Sequence, residues 1–311
     1  MKLFALLAVA ALAGSAADLR LGIVGTDTSH VIAFTTILND PNHREHIAGA
    51  RVVAAYKGGS PDLPSSWDRV EKYAAELQSK FGVEIVPDIA TLLGKVDAVL
   101  LESVDGRVHL AQFREIARSG KPVFIDKPLA STLEDAREIA AIARKYGVRW
   151  FSSSALRYSS LLPELKKNRV DSALVWGPGP LEATHQLDLS WYGIHAVEIL
   201  YTLMGTGCEE VTRTYAPDAE VVTGRWKDGR VGAIRLSRPY GGYGAVAFSG
   251  KEIRQSQKDL YTGYRGLVEQ IVLFFQSRVP PVPEQETLEM FAFMDAAQRS
   301  REAGGAPVKL R

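Results

Sequence analysis

The sequence predicts an α/β fold class, with a doubly wound parallel sheet followed by an α+β domain that has a large, mostly antiparallel sheet. Two patterns support this prediction. Between residues 19 and 151, short apolar runs alternate with amphipathic segments of helical length, which is typical of parallel strands joined by right-handed helical crossovers. Beyond about residue 155, strand-like runs follow one another through Gly-rich turns, which indicates mostly antiparallel pairing.

The elements of the first region follow from the spacing of apolar residues. Each predicted strand is a short and nearly continuous apolar run, as expected for a parallel sheet covered on both faces. Each predicted helix has apolar residues three and four positions apart. On these grounds we predict strands at 19–25, 51–56, 97–101, 122–125 and 148–151, and helices at 29–38, 67–81, 107–118 and 133–146.

The second region is richer in strands, and its helices have clear ends. The helix predicted at 193–204 is stopped by Gly205. Two further helices are predicted at 263–275 and 283–301. Strands are predicted at 170–175, 210–215, 220–226, 232–236 and 244–248. The change of pattern predicts domains at 18–152 and 153–311.

The composition bounds the class of protein. The chain has 311 residues, of which 46% are hydrophobic and 23% charged, so a disordered chain and a multi-span membrane protein are excluded. Lys and Arg number 37 against 36 for Asp and Glu, and without a basic excess we expect no nucleic-acid partner. The single cysteine, Cys208, excludes an intrachain disulfide framework and a multi-cysteine zinc site. We expect no metal site and interpret Cys208 as structural.

The segment 1–17 has the pattern of a secretory signal peptide. Lys2 precedes an apolar run at 3–14, and small residues follow it up to Ala17. A buried N-terminal helix and an uncleaved anchor are the alternatives, although the run is short for a bilayer span. The sequence therefore predicts export to the periplasm or the medium after cleavage at Ala16 or Ala17, with no remaining membrane attachment.

A Gly-rich turn after the first strand is the first chemical signal. A dinucleotide site needs a strand, a tight glycine turn and a helix N-terminus whose free N–H groups hold the pyrophosphate. Gly25 fills the first position of the G-x-G-x-x-G pattern, whereas Asp27 and His30 replace the second and third glycines. A carboxylate at the second position adds repulsion toward phosphates, although Asp27 could equally be a helix N-cap, with Thr28 or Ser29 as alternatives. The turn alone leaves open whether the fold binds a dinucleotide.

The ribose-reading position after the second strand is also unusual. Lys57 stands where an acidic residue would bind the 2′-hydroxyl of NAD. Because a lysine can accept a 2′-phosphate, NADP fits this position better than NAD. The residues predicted to border the cofactor in this region are Gly25, Thr26, Thr28, Ser29 and Lys57.

Several motifs further along the chain resemble one family in their order. The segment 125–130 (Ile-Asp-Lys-Pro-Leu-Ala) resembles the Glu-Lys-Pro motif of the Gfo/Idh/MocA oxidoreductases, with Asp126 in place of the usual Glu. Further similar segments are 96–99 with His109, 156–158, 192–198 and 300–308. The resemblance covers nearly all of the chain after residue 17. It implies an NAD- or NADP-binding Rossmann-type domain at 18–152, a substrate-binding and oligomerisation domain at 153–311, and a homo-oligomer.

The resemblance also implies roles for two basic residues. Lys127, with Asp126 beside it, would lie between cofactor and substrate, where an ammonium can hydrogen-bond the hydroxyl that loses hydride and stabilise its oxygen. The alternative for Lys127 is a solvated lysine after an edge strand. His195, at the start of a helix, would be a proton-transfer residue, and the alternative is one buried histidine in a core helix.

The surroundings of His195 depart from the family pattern. Trp191 stands where the family commonly has an Asp four residues before the histidine, and Asp188 is near enough in sequence to substitute. Trp191 and Tyr192 have aromatic faces that can stack on a sugar ring. The residues predicted to bind the substrate are Arg157, Asp188, Trp191 and Tyr192.

Other candidate positions are weaker. His43 and His46 lack the spacing of a metal motif and are interpreted as parts of a surface loop. His185 is predicted to lie in a strand that faces the same cleft. The turn at 240–244 has tyrosines that could close over a substrate, and a simple hairpin is its alternative.

Three functions remain open at the level of sequence. The first is an NAD(P)-dependent oxidoreductase that transfers hydride from a sugar, cyclitol or sugar derivative. The second is a glycosidase or lyase with tightly bound NAD that uses transient oxidation, which export favours because a released NADH or NADPH needs a cytoplasmic pool to be reoxidised. The third is a non-catalytic sugar-binding protein on a vestigial nucleotide fold. A small carbohydrate is the expected partner in each case.

Overall fold

The structure, a computed structural model, describes residues 17–311. The predicted signal peptide at 1–17 therefore lies outside the described residues, apart from Ala17. Within residues 17–311, no helix is both long enough and apolar enough to cross a membrane. In the same residues, no group of three or more His, Cys, Asp or Glu side chains is arranged to hold a metal ion.

The first part of the chain forms a parallel sheet of six strands. Its order is β3-β2-β1-β4-β5-β6, with parallel pairing throughout. The strands are β1 (Leu19–Val24), β2 (Ala50–Tyr56), β3 (Glu84–Val86), β4 (Ala98–Leu101), β5 (Val123–Ile125) and β6 (Trp150–Ser152). The order reverses at β1, which lies between β2 and β4, and such a switch point opens a crevice at the carboxyl ends of the strands. The predicted doubly wound sheet is confirmed.

The helices of this part begin and end where local signals indicate. Thr132 accepts a hydrogen bond from the N–H of Asp135 at the start of α5 (Leu133–Tyr146), and Gly147 ends that helix in a left-handed conformation. Pro64 begins α2 (Pro64–Phe81) three residues before the predicted start, because proline suits the first helical turn. The helices are α1 (His30–Asn39), α2 (Pro64–Phe81), α3 (Ile89–Leu93), α4 (Gly106–Ala117) and α5 (Leu133–Tyr146).

The second part forms a mixed, mostly antiparallel sheet of seven strands in the order β12-β11-β7-β10-β9-β8-β13. Its strands are β7 (Ser172–Pro178), β8 (Cys208–Tyr215), β9 (Ala219–Trp226), β10 (Val231–Ser237), β11 (Gly244–Ser249), β12 (Glu252–Gln255) and β13 (Val308–Lys309). Only β7 and β10 pair in parallel. The helices are α6 (Leu162–Leu165), α7 (Gly193–Met204), α8 (Arg265–Ser277) and α9 (Glu284–Glu302), and α7 and α9 pack against the sheet. The predicted α+β region is confirmed.

One helix from the second half of the chain returns to the first sheet. The apolar face of α8 packs into the same core as α1 and β5, and the rings of Phe151 and Phe274 lie 5.1 Å apart. This return places the segment just before α8 at the carboxyl edge of the parallel sheet. Tyr264, the residue before α8, thereby reaches the crevice described next.

Candidate active site

A cavity of about 490 Å³ opens at the carboxyl edge of the parallel sheet. Both halves of the chain contribute to its walls. The basic side chains that line it are His30, Arg69, Lys127 and His195. The aromatic side chains that line it are Trp191, Tyr192, Tyr240, Tyr243, Tyr261 and Tyr264. The cavity therefore combines hydrogen-bonding groups with the flat apolar faces that suit a polyhydroxylated ring.

Lys127 lies in this cavity, directly after β5. Its Nζ atom is 5.9 Å from the centroid of the Tyr192 ring, a cation–π distance. Burial lowers the pKa of Lys127, and the adjacent Asp126 carboxylate opposes that shift. An ammonium that is poorly solvated and faces a cavity donates strongly to a developing oxyanion.

His195 lies in the same cavity at the start of α7. Its Nδ1 atom is 2.7 Å from Oγ of Ser154. Burial, with the positive charge of Lys127 nearby, holds the pKa of His195 well below its usual value. The ring is therefore neutral in ordinary conditions, and it serves as a hydrogen-bonding group rather than as an imidazolium.

Asp188 is not the partner of His195, so that prediction is wrong. Its carboxylate accepts hydrogen bonds of 2.8 and 3.0 Å from Arg213 and one of 2.6 Å from Arg301. Arg213 is completely buried, and the carboxylates of Asp188 and Glu220 together compensate its charge. Asp188 does not line the cavity, and its role is to hold α9 against β8.

Arg157 also lies outside the cavity wall, which corrects its prediction as a substrate-binding residue. Its guanidinium is buried between Glu198 and Glu286, at 2.5 Å from a carboxylate oxygen of each. Glu198 in turn accepts a 3.1 Å hydrogen bond from the N–H of Ser154. Arg157 therefore supports the loop that carries Ser154, and through it the orientation of His195.

Trp191 and Tyr192 line the cavity, and other aromatic residues extend the wall they form. The Tyr192 ring lies 6.0 Å from Tyr240, edge to face. Tyr240 and Tyr261 are 65% and 46% exposed, so they stand at the mouth. Tyr261 and Tyr264 were missed in the sequence because they precede α8, whose return to the first sheet no local pattern signals.

His185 lies in a turn behind the cavity wall rather than in a strand, which corrects that interpretation. Its buried ring is 5.0 Å from Trp191, and its Nε2 atom is 3.6 Å from Asp105. Burial lowers the pKa of His185, with the charge of Asp105 opposing the shift. His185 therefore supports Trp191 from behind.

His30 also lines the cavity, and the sequence did not reveal the role of its side chain. Its Nδ1 atom lies 2.6 Å from Oδ2 of Asp126. The ring stacks on Phe34 at 5.4 Å and meets the edge of Tyr264 at 4.8 Å. One signal was available, because His30 follows β1 and Asp126 follows β5, and parallel strands end at a common edge.

The Gly-rich turn fits an anionic group despite its altered pattern. Gly25 has a φ of +93°, and a Cβ atom there would lie 2.3 Å from Oγ of Ser103, so this position requires glycine. The backbone N–H groups of Thr28 and Ser29 find no acceptor within residues 17–311. Both residues line the cavity beside the first turn of α1. Free N–H groups at a helix N-terminus are the donor set that a pyrophosphate needs.

Asp27 does not cap α1, and its carboxylate is held inside the protein. It accepts hydrogen bonds of 2.6 Å from Ser66 and 3.0 Å from the N–H of Val104. Burial raises the pKa of the Asp27 carboxyl, and these hydrogen bonds offset the rise only in part. The carboxylate of Asp27 is therefore occupied by donors of the protein itself.

Thr26 belongs to the turn and contacts Lys57, which follows β2. Thr26 supports the turn, because its N–H binds the carbonyl of Lys57 at 2.8 Å and its hydroxyl binds the carbonyl of Val70 at 2.9 Å. The ammonium of Lys57 lies 2.7 Å from a carboxylate oxygen of Glu71. An acidic partner at this distance weakens the interpretation of Lys57 as a receptor for a 2′-phosphate.

The comparisons with known proteins agree with this geometry. Residues 19–154 match the GFO_IDH_MocA family model, described as an oxidoreductase family with an NAD-binding Rossmann fold. A relative named inositol 2-dehydrogenase/D-chiro-inositol 3-dehydrogenase, from Halalkalibacterium halodurans, is 25% identical over 68% of this chain and 60% of its own length. The 1,5-anhydro-D-fructose reductase of Ensifer adhaerens is 34% identical over 33% of this chain and 31% of its own length. The matches thus span less than two thirds of these relatives.

Solved structures match over almost the whole chain. A probable dehydrogenase from Thermotoga maritima superposes with a TM-score of 0.74 at 22% identity, covering 94% of this chain and 99% of that one. GenD2 from gentamicin A biosynthesis, solved with NAD, has a TM-score of 0.76 at 17% identity, with coverages of 98% and 99%. A myo-inositol dehydrogenase from Lactobacillus casei, solved with NAD(H) and myo-inositol, has a TM-score of 0.73 at 18% identity, with coverages of 95% and 97%. At these identities the likeness establishes the fold.

Proposed function

Since residues 19–154 match the Gfo/Idh/MocA oxidoreductase family model, we propose that the chain is a dehydrogenase that oxidises a secondary alcohol of a sugar, cyclitol or sugar derivative. One observation carries the proposal. Lys127 and His195, which are far apart in sequence, line one aromatic-walled cavity beside the free N-terminus of α1. Such a cavity places an alcohol, a strong hydrogen-bond donor and an anion-binding helix end within reach of each other.

The N-terminal domain supplies the groups that would hold the nicotinamide dinucleotide. The N–H groups of Thr28 and Ser29 would bind its pyrophosphate, and Gly25 allows the close turn that precedes them. The carboxylate of Asp126, which the motif predicts to border the cofactor, is 1% exposed and binds His30. When bound, the oxidised cofactor takes up hydride from the alcohol carbon.

The protein's own side chains bind and polarise the alcohol. Lys127 donates a hydrogen bond to the reacting hydroxyl and stabilises negative charge on its oxygen as the C–H bond breaks. Neutral His195, fixed by Ser154, hydrogen-bonds a neighbouring hydroxyl. Trp191 and Tyr192 stack on the ring, so that the alcohol is held in one orientation.

The names of the two related proteins support the substrate class. They act on an inositol and on an anhydro sugar, both of which are rings with several hydroxyl groups. We extend that class to this chain as a proposal, since the cavity walls have the matching mixture of aromatic faces and polar groups. The cavity is also roomier than a single small diol needs.

A second candidate is favoured by the predicted signal peptide at 1–17. If the chain is exported, as we also propose, no cytoplasmic pool reoxidises a released cofactor. Retention of the dinucleotide, with transient oxidation followed by glycoside cleavage and re-reduction, would then suit the site. The same cavity serves both reactions, and net redox turnover distinguishes them.

The deciding experiment starts with the purified protein as it leaves the host. After denaturation, the released small molecules are examined by mass spectrometry and by absorbance. The N-terminal residue of the protein is determined in the same sample, and a start at Ala17 or Asp18 supports export. We expect NAD(H) or NADP(H), or else saturable binding when either is added. A polyol and glycoside panel then reads cofactor reduction and glycoside cleavage. A protein that binds neither cofactor at millimolar concentration contradicts both reactions and leaves the sugar-binding function.

A further inference from the structure

We propose that His30 is the base that removes the hydroxyl proton of the substrate, and that Asp126 positions its ring and stabilises the imidazolium that forms. This inference rests on the proposed dehydrogenase function. It adds a proton acceptor to a cavity in which Lys127 and His195 are suited to other tasks. It also gives a role to a histidine that stands where the nucleotide-binding pattern has its third glycine.

The contact between the two residues fixes the tautomer of His30. Nδ1 of His30 lies 2.6 Å from Oδ2 of Asp126, and Asp126 is 1% exposed. An ionised carboxylate has only acceptors to offer, so Nδ1 carries the proton in this hydrogen bond. In the neutral ring, Nε2 of His30 then presents a lone pair. It makes no hydrogen bond to any residue between 17 and 311, and His30 lines the cavity.

The electrostatics keep Asp126 ionised. Burial by itself raises the pKa of the Asp126 carboxyl. With His30 neutral, its Nδ1–H hydrogen bond and the positive charge of Lys127 stabilise the carboxylate of Asp126 against its burial. A buried carboxylate behind an imidazole is the arrangement that orients a histidine base and stabilises its protonated form.

Rigid surroundings hold the His30 ring in place. It begins α1, and its ring is stacked on Phe34 and flanked by Tyr264. Asp126 follows β5 directly, so both partners are anchored to regular elements of one domain. A base held this firmly loses little entropy when a substrate binds.

The other two candidates for the base are less suitable. Nδ1 of His195 is hydrogen-bonded to Ser154. Burial and the positive charge of Lys127 nearby oppose protonation of the His195 ring. Lys127 must keep its proton in order to donate to the alcohol oxygen. Of the two histidines, only His30 has a carboxylate within hydrogen-bond distance of a ring nitrogen.

The step balances as follows. The C–H bond of the alcohol breaks, and its hydrogen leaves with both electrons as hydride to the oxidised nicotinamide dinucleotide. The O–H bond breaks and its proton passes to Nε2 of His30, while its electron pair forms the second bond of the carbonyl. His30 then returns the proton to solvent when the ketone leaves, so one alcohol is oxidised, one dinucleotide is reduced and one proton is released.

The kinetic test uses the full mature chain with His30→Gln, His30→Ala and the control His43→Gln, a loop histidine outside the cavity. We expect kcat to fall at least about a hundredfold in both His30 variants, while the Kd for NADH, measured by fluorescence, changes by less than about threefold. Added imidazole should restore the rate of His30→Ala in proportion to its concentration. The control should behave as wild type, and thermal unfolding checks that each variant is folded.

The opposite kinetic results overturn the proposal. An unchanged kcat in folded His30→Gln removes His30 as the base. A raised Kd for NADH with an unchanged kcat at saturating cofactor makes His30 a cofactor ligand instead. If the wild-type protein binds dinucleotide but oxidises no polyol, the proposed dehydrogenase function fails, and the spectroscopic test that follows still decides the pairing.

That spectroscopic test is ¹⁵N NMR of histidine-labelled protein without substrate. The His30 signals are assigned by their loss in His30→Gln. We expect the tautomer with the proton on Nδ1, and we expect its Nδ1 signal to shift in Asp126→Asn but not in the control Asp218→Asn, an exposed turn residue. A proton on Nε2 in the neutral ring, or no response to Asp126→Asn, overturns the proposal.

Discussion

Oγ of Ser154 lies 2.7 Å from Nδ1 of His195, so a hydroxyl, and not a carboxylate, orients the histidine of α7. The N–H of the same serine is bound by Glu198, whose other oxygen holds Arg157. A neutral partner leaves the imidazole uncharged, which agrees with its low pKa. This chain of contacts is a supporting layer that the sequence did not indicate, because Ser154 and His195 lie in different elements.

The first prediction concerns that serine. Ser154→Ala removes the hydroxyl that orients His195, and we expect kcat to fall about tenfold, as is common when a group that positions a functional histidine is lost. Cofactor affinity should stay close to wild type, while the free energy of unfolding should fall by about 1 kcal/mol because the Ser154 hydroxyl also accepts the N–H of Leu156. Ser160→Ala, an exposed serine on the next turn, is the matched control. An unaltered kcat in Ser154→Ala would show that the ring needs no such support.

The second prediction concerns Lys127. Lys127→Ala removes the donor to the reacting hydroxyl, and we expect turnover to fall by about two orders of magnitude or more. The cofactor should still bind, because the N–H groups of Thr28 and Ser29 are untouched. Lys121→Ala, at the opposite end of β5, serves as the control. Steady-state kinetics measure turnover, and an NADH titration measures cofactor affinity. Unchanged turnover would remove Lys127 from the mechanism.

The third prediction is a dependence of stability on pH that arises from His195. Its folded-state pKa lies well below the usual value of 6.5, so at acidic pH the unfolded chain binds a proton that the folded chain does not. Stability therefore falls as the pH drops below about 6.5. When the pH falls from about 7.5 to about 5.5, the free energy of unfolding should decrease in both proteins. The decrease should be about 1 kcal/mol smaller in His195→Gln than in wild type. Urea unfolding at both pH values measures this difference, and His43→Gln should match wild type. Equal losses in wild type and His195→Gln would contradict the argument.

The sequence predicts elements well where short-range signals define them. The predicted bounds of α5 and α7 agree with the structure, because Thr132 and Gly147 delimit the first and Gly205 ends the second. The short α3 and β3 were missed, since three to five residues carry little periodicity. The domain boundary at 152 remains a prediction, while α8 packs on the first sheet from the far side of it.

The site was predictable only where a local motif carried it. Lys127, Tyr192 and His195 belong to such motifs, and they line the cavity. A charged side chain can face the cavity or pair with a buried counter-ion. Packing between distant segments decides which of these occurs, and no local motif records it. Asp188 therefore turned out to bind Arg213 rather than His195. Asp126 was predicted as a cofactor residue from its motif, but its contact with His30 spans 96 residues.

The fourth prediction follows from that correction of Asp188. Asp188→Asn leaves the buried guanidinium of Arg213 with less compensating charge, and we expect a loss of about 3 kcal/mol in the free energy of unfolding. Catalysis should be little changed in the folded fraction, because Asp188 does not line the cavity. Asp218→Asn, in the exposed turn before β9, is the control. Urea unfolding measures the difference, and a change in kcat without a change in stability would return Asp188 to the site.

The last prediction concerns the choice between NAD and NADP. The ammonium of Lys57 is held by the carboxylate of Glu71, at 2.7 Å, at the end of β2 where a ribose 2′-substituent is read. We expect the wild-type protein to bind NADH more tightly than NADPH, because the carboxylate repels a 2′-phosphate and occupies its cation. Glu71→Gln should strengthen NADPH binding about two- to fivefold, the range expected for one exposed ion pair. Glu76→Gln, which breaks the pair with Lys80 on the same helix, should leave both affinities unchanged. Tighter NADPH than NADH binding by the wild type would restore Lys57 as a phosphate ligand, since it would mean that Glu71 yields the ammonium to the incoming anion.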